Sequence, residues 1–258
     1  MQNIIAIDIG NTNTKILINT EELRVISNQA IIEDNFNNLS LNLPQITGEV
    51  KLGICSVVNS SISTKIVQKL VKIIAIEKPK IYLLQTHEIL ALALPSQYQN
   101  LKHLGCDRAL KIYYLTQLNK FSSSLCFGCG TAFSIEVVVN GKFVDSIITT
   151  GLTLQLNSLN AKITNLPIVI GNEIPNILTQ QEFYTTQYSI AYGTINTFCS
   201  LIDMLAKKWK VTTIVGSGGY ADLISKYLLA NYQLNSLTHT SLETQVIQEI
   251  IANNHLKV

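Results

Sequence analysis

Four short segments of this 258-residue sequence combine glycine with hydroxyl, amide or carboxylate side chains in patterns suited to anion binding or proton transfer. The first is Asp8-Ile9-Gly10-Asn11-Thr12-Asn13-Thr14-Lys15, directly after an Ile-rich apolar run. Glycine lets backbone N–H groups approach an anion, amides and hydroxyls donate to phosphate oxygens, and a carboxylate at a strand end can hold Mg²⁺ directly or through water. The same residues also suit a hairpin whose Asp, Asn and Thr only cap the turn. The second, Gly128-Cys129-Gly130-Thr131-Ala132, stands at the matching place in a second copy of the same pattern, so the pair could grip a polyphosphate from both sides. The third, Gly216-Ser217-Gly218-Gly219, separates an apolar strand from a helix and would let a base and ribose lie against backbone, or form an ordinary strand-helix turn. In the fourth, Leu104-Gly105-Cys106-Asp107-Arg108, a carboxylate and a guanidinium sit at a helix start. There they could accept a hydroxyl proton and orient an anionic group, or act as a capping acid with a surface Arg.

The elements that must position these residues follow from apolar spacing. Residues 3–9 form a buried-strand run, and 14–20 and 23–27 continue it as a meander. From residue 123 the pattern repeats: a strand, a Gly-rich turn, a strand, an Asn140-Gly141 hairpin turn and another strand. The copies start at 3 and 123, which predicts two similar α/β halves, 1–118 and 119–258, without a Pro- or Ser-rich tether between them. Strands at 51–58 and 80–84 flank a helix at 61–75, which implies a parallel connection. Helices are expected at 152–163, 186–208 and 220–230, with a strand at 211–216.

Composition narrows the partners. The 19 Lys and Arg against 17 Asp and Glu leave a net charge of +2, and charged residues make up 14% of the chain, against about 25% in an ordinary soluble domain. No basic cluster is denser than Lys207-Lys208-Trp209-Lys210, so nucleic acid is not expected as a partner. No apolar run approaches the ~18 residues of a membrane span, and the start carries no basic leader, so a cytoplasmic protein without a membrane partner is expected. Five cysteines then read as reduced thiols. Cys126 and Cys129 lack further zinc ligands, and the four His share no metal or triad spacing. No nucleophile-elbow motif is present.

In order, IIAIDIGNTNTK at the start, LGCDR near 105, GTA at 130, the stretch 149–167, Thr186 before Gly193, and GSGG at 216 resemble the type III pantothenate kinases of the acetate and sugar kinase, Hsp70 and actin superfamily. The resemblance covers nearly the whole chain. It implies two ribonuclease-H-like halves, a duplicated actin-like fold with an interdomain nucleotide cleft. It also implies transfer of the terminal phosphoryl group of ATP to pantothenate, giving 4′-phosphopantothenate, the first step of coenzyme A synthesis. Asp8, Ile9, Gly10, Asn11, Thr12, Asn13, Thr14 and Lys15, with Gly130, Thr131, Gly218 and Gly219, would bind ATP, and Asp8 would hold Mg²⁺. Asp107 would accept the proton. Tyr98, Gly105, Cys106, Asp107 and Arg108 would line the pantothenate site, with Thr186 supplied across a homodimer interface.

The sequence departs from that family at several of these places. Gly128 replaces the usual Asp that binds an activating monovalent cation, K⁺ or NH₄⁺, and so lacks a side-chain ligand. Phe133-Ser134 replaces Thr-Thr at the phosphate wall. Thr185, Ser217 and Leu101 replace Asn, Thr and Pro. The alternatives that follow are a regulatory or accessory binding protein on the same scaffold, or a kinase of another small hydroxyl compound.

Overall fold

The computed structural model describes residues 3–19, 22–33, 48–74, 79–101, 103–163, 165–180 and 183–253. The chain divides into two compact units, Met1–Gln117 with Ser241–Val258, and Leu118–Thr240.

The first unit is built on a five-stranded sheet. Its strands are β1 (Asn3–Ile9), β2 (Asn13–Ile18), β3 (Glu22–Ser27), β4 (Val50–Ser56) and β5 (Lys80–Leu83), in the order β3-β2-β1-β4-β5. The first three form an antiparallel meander, whereas β4 joins β1, and β5 joins β4, in parallel. Parallel neighbours need a crossover. Here α2 (Ser60–Ile73) supplies it between β4 and β5, its N-terminus capped by the Asn59 side chain, which accepts from the Ile62 N–H at 3.0 Å. The short α1 (Asn28–Ile32) follows β3, and α3 (Thr86–Ala93) and α4 (Cys106–Tyr113) follow β5. The core is aliphatic, with Ile5, Ile7, Ile9, Ile16, Leu52 and Ile66 fully buried.

The second unit repeats the plan: β6 (Ser123–Cys129), β7 (Ala132–Val139), β8 (Lys142–Thr150), β9 (Thr213–Ser217) and β10 (Leu237–His239), in the order β10-β9-β6-β7-β8. Again a three-stranded meander is extended by two parallel strands. The Asn140-Gly141 turn between β7 and β8 has φ of 48° and 70°, the paired left-handed conformation of a type I′ hairpin turn. Helices α5 (Leu152–Lys162), α6 (Ile174–Thr179), α7 (Thr186–Trp209) and α8 (Ala221–Tyr232) cover this sheet. The expected duplication is therefore present strand for strand. Its core is aromatic where the first is aliphatic: Phe133 lies 4.5 Å from Phe198 and 6.1 Å from Phe127, centroid to centroid.

The expected second half, 119–258, is corrected at its end. The chain leaves the second unit after Thr240, and α9 (Leu242–Ala252) packs on the first sheet. The Gln248 side chain donates to the carbonyls of Ile4 on β1 and Leu17 on β2, at 3.2 and 3.1 Å. Gly53 on β4 admits the helix, since a Cβ there would lie 2.6 Å from Ile247 and 2.8 Å from Ile251. Among the described residues, no helix is long and apolar enough to cross a membrane.

Candidate active site

Asp8 is the penultimate residue of β1, and the pairing register sets it beside Lys15 of β2 and Cys55 of β4. The turn that follows closes through the Gly10 N–H, which donates to the Asn13 carbonyl at 3.0 Å. Asn28, at the start of α1, braces it from behind. Its amide nitrogen donates to the Gly10 carbonyl at 2.7 Å, its oxygen accepts from the Thr14 hydroxyl at 2.7 Å, and its backbone N–H donates to Thr12 at 2.9 Å. Asn28 is buried and lies outside every motif recognised in the sequence.

This geometry divides the first segment. Asn11, Thr12 and Asn13 are exposed on the turn, and Lys15 is partly exposed. Ile9 is fully buried in the core, and the buried Thr14 hydroxyl is engaged by Asn28, so neither of these two side chains presents itself to a ligand.

Asp8 itself is only 6% exposed, and its Oδ1 is buried without a hydrogen-bond partner. Burial, reinforced by Glu243 and Asp107, pushes its carboxyl up to about 7 against the opposing pull of Lys15 and Lys111. Lys15 Nζ lies 3.9 Å from Asp8 Oδ2 and 3.0 Å from Glu243 Oε2. Burial works against the lysine's charge, but Glu243 and Asp8 together outweigh it and raise its pKa. Lys111, one helical turn beyond Asp107 on α4, is buried, as is Glu243 on α9. Sequence reading missed both, because Lys111 carries no motif signal and Glu243 stands 228 residues from Lys15.

Gly105 is the N-cap of α4, and a Cβ there would fall 2.6 Å from Asp107 Oδ1, so the absent side chain leaves room for the carboxylate to fold back over the helix start. Asp107 and Arg108 are partly exposed, as is Tyr98 in the short 3-10 turn Tyr98–Leu101. Cys106 differs from expectation. It is joined to Cys55 in a disulfide, the end of β4 and the start of α4 bringing the two Cα atoms to 6.4 Å. The expectation of five reduced thiols therefore holds only for Cys126, Cys129 and Cys199, which are free and buried. Cys106 also borders a cavity of about 410 Å³ with Ser56, Ser60 and Thr64 in its wall.

In the second unit, Gly130 and Thr131 form an exposed turn between β6 and β7. The turn is closed by the Gly130 N–H donating to the Ala132 carbonyl at 3.0 Å, and is held to the start of α5 by the Gly151 N–H donating to Thr131 at 2.9 Å. Gly128 occupies the place on β6 that Asp8 holds on β1, penultimate in the strand, with Ser134 and Ser217 as its neighbours. Phe133, expected at the phosphate wall, instead points into the core against Phe198. At the end of β9, Gly218 has a φ of 97°, and a side chain there would run into the Cys129 backbone, whereas Gly219 opens to free space. Gly219 and Tyr220 border a cavity of about 530 Å³ shared with Gly171, Asn172 and Lys226. Thr186 is the exposed first residue of α7, after an N-cap in which Thr185 accepts from the Tyr188 N–H. Among the described residues, no group of three or more His, Cys, Asp or Glu is arranged to hold a metal ion.

Comparison with known proteins gives these sites a family. A type III pantothenate kinase from Pelagibacter ubique is 23% identical over 237 residues, 90% of this chain and 93% of that protein. Two solved structures share the fold. One is a protein from Campylobacter jejuni provisionally assigned as a Baf family transcriptional activator, with a TM-score of 0.57 at 14% identity over 97% of this chain and 98% of that one. The other is a provisional N-acetylmannosamine kinase from Listeria monocytogenes, with a TM-score of 0.51 at 13% identity over 98% of this chain and all of that one. The family model for type III pantothenate kinase matches residues 4–208, and the chain belongs to that family.

Proposed function

We propose that this chain phosphorylates pantothenate with ATP, giving 4′-phosphopantothenate for coenzyme A synthesis. The observation that carries the reading is the buried Asp8 carboxylate, with one oxygen unpartnered, at the head of a braced Gly-Asn-Thr turn and within electrostatic reach of Asp107. Exposed turn amides and hydroxyls at residues 10–13, together with Lys15, would take the phosphates. The family resemblance adds Gly130, Thr131, Gly218 and Gly219 to the residues that would bind ATP.

Asp8 fits Mg²⁺, because a hard cation prefers carboxylate oxygen and an orphaned buried oxygen is the kind of ligand it satisfies. A single protein carboxylate is enough where water and ATP phosphates complete the shell. When bound, the ion would neutralise charge on the transferring group.

Phosphoryl transfer depends on positioning and charge stabilisation more than on a strong base. Asp107 would orient the pantothenate hydroxyl and accept its proton, and Arg108 would pair with the pantothenate carboxylate. Tyr98, Gly105 and Cys106 would complete that wall, and the disulfide at Cys106 would restrict its movement. Gly128 presents no carboxylate, so the monovalent-cation requirement of the family would be lost or met by another group. Phe183 and Tyr184, 73% and 79% exposed, lie three and two residues before Thr186. Their cover would be a second copy of this chain, placing Thr186 at the partner's substrate site in a cytoplasmic homodimer.

The test is pantothenate-dependent ADP formation from Mg-ATP by the wild type and Asp107→Asn. Activity in the wild type and a loss of about a hundredfold or more in kcat for the variant are expected. Equal rates would remove Asp107 from the mechanism. Bound ligand without turnover in either protein would favour the accessory binding protein.

A further inference from the structure

Glu243 lies outside the stretch matched by the family model, on a helix that returns to the first unit after the whole of the second. It is 5% exposed in the first turn of α9, where the positive end of the helix favours its charge. Its Oε2 accepts from Lys15 Nζ at 3.0 Å, while the same ammonium stays 3.9 Å from Asp8. Five residues further along, Gln248 ties α9 to the carbonyls of Ile4 and Leu17, on the two strands that carry Asp8 and Lys15. Glu243 is therefore held at a fixed offset from the turn by hydrogen bonds independent of its own charge.

A lysine on a strand beside such a turn has two easy alternatives. It can swing into solvent, keeping about 2 kcal/mol of side-chain rotamer entropy, or collapse onto the nearest carboxylate. Collapse onto Asp8 would fill the oxygen face that a cation needs. The Glu243 contact opposes both, since it holds the ammonium of a mostly covered Lys15 side chain at the turn and off Asp8 Oδ1, which has no hydrogen-bond partner.

We propose that Glu243 is a positioning residue for the nucleotide, holding Lys15 at the phosphate turn and keeping Asp8 open to the cation. The inference rests on reading residues 8–15 as the ATP phosphate site. The charged groups facing Asp8 are Lys15 on β2, Glu243 on α9, and Asp107 and Lys111 on α4. Removing the Glu243 charge frees Lys15 to close the 3.9 Å gap to Asp8 or to swing into solvent, and either loses the ammonium at the turn.

The experiment compares Glu243→Gln, Glu243→Asp, Lys15→Met and the Glu243→Gln/Lys15→Met double variant with the wild type. It measures KM for Mg-ATP and for pantothenate, kcat, and Mg-ATP affinity by calorimetry. For Glu243→Gln we expect KM and Kd for Mg-ATP about tenfold higher, with KM for pantothenate and kcat unchanged. Glu243→Asp should recover much of the loss. The double variant should be no worse than Lys15→Met alone, because the two residues act as one unit. A Glu243→Gln protein with wild-type Mg-ATP affinity, whatever its melting temperature, overturns the proposal. So does a double variant whose losses add. Calorimetry separates the two readings. A wild type that binds Mg-ATP without phosphorylating pantothenate still tests Glu243, whereas one that binds no Mg-ATP removes the phosphate-site reading and this inference together.

Discussion

The two units run the same strand order, and the penultimate residue of the first strand is Asp8 in one and Gly128 in the other. In both, a glycine two residues later closes the turn by donating its N–H to a nearby carbonyl, Gly10 to Asn13 and Gly130 to Ala132, each at 3.0 Å. The backbone device is shared and the electrostatics are not. Around Asp8 stand Lys15, Glu243, Asp107 and Lys111; around Gly128 stand Ser134 and Ser217 on the flanking strands. The duplicated scaffold thus repeats the turn, and Asp8 has charged neighbours where the strand neighbours of Gly128 are serines. The cores differ too, the first being aliphatic and the second adding Phe127, Phe133 and Phe198 to its aliphatic residues.

The comparison predicts that the two positions respond in opposite ways. The largest effect is expected from Asp8→Asn, which should cut kcat/KM for Mg-ATP by about a hundredfold or more, on the scale of losing a charge-stabilising group, in initial-rate assays. The same change should stabilise the nucleotide-free protein. The folded state keeps the Asp8 proton up to about pH 7, whereas the unfolded chain loses it near 4. This group's contribution to stability therefore falls as pH rises between those values, and stays low above them. The gain from Asp8→Asn should be small near pH 4, grow toward pH 7 and reach on the order of 4 kcal/mol at pH 8 by denaturant unfolding. A constant gain across that range would mean that Asp8 is not the titrating group.

A second effect probes the helix that only the first unit receives. Gly53→Ala should push Ile247 and Ile251 off β4 and destabilise the protein by about 1–3 kcal/mol, because a Cβ at that position overlaps both side chains. If Glu243 depends on that helix for its placement, KM for Mg-ATP should rise as well. Unchanged stability would show that α9 can shift at no cost.

The smallest effect, and the one that most directly compares the turns, is Gly128→Asp. It restores a carboxylate to the second turn, and a potassium titration should show activation of about two- to tenfold that the wild type lacks, consistent with one added charged ligand. Strong potassium activation of the wild type itself would show that another group already fills that role.

Much of the scaffold was legible before any coordinates, because it depends on local rules. The short, nearly continuous apolar runs at 3–9 and 123–129, the Asn140-Gly141 hairpin and the helix after β4 all form as their patterns predict. The turn motifs were legible for the same reason, since glycine and hydroxyl content reports what a backbone turn requires. Side-chain direction was less so. Thr14 reads as a phosphate ligand but faces Asn28, and Phe133 reads as part of a phosphate wall but fills the core, because strand alternation and the partner sheet decide which face is buried.

The sequence by itself determined the family, the repeated meander and the positions of the Gly-rich turns, all properties of nearby residues. Only the tertiary structure decided the charge environment of Asp8. Its neighbours come from β2, α4 and a helix beyond residue 240, and Coulomb interactions depend on distances in space that a chain can close from any separation in sequence. The same holds for Asn28 behind the turn and for the Cys55–Cys106 link across 51 residues. Each joins segments whose local patterns carry no mark of the other.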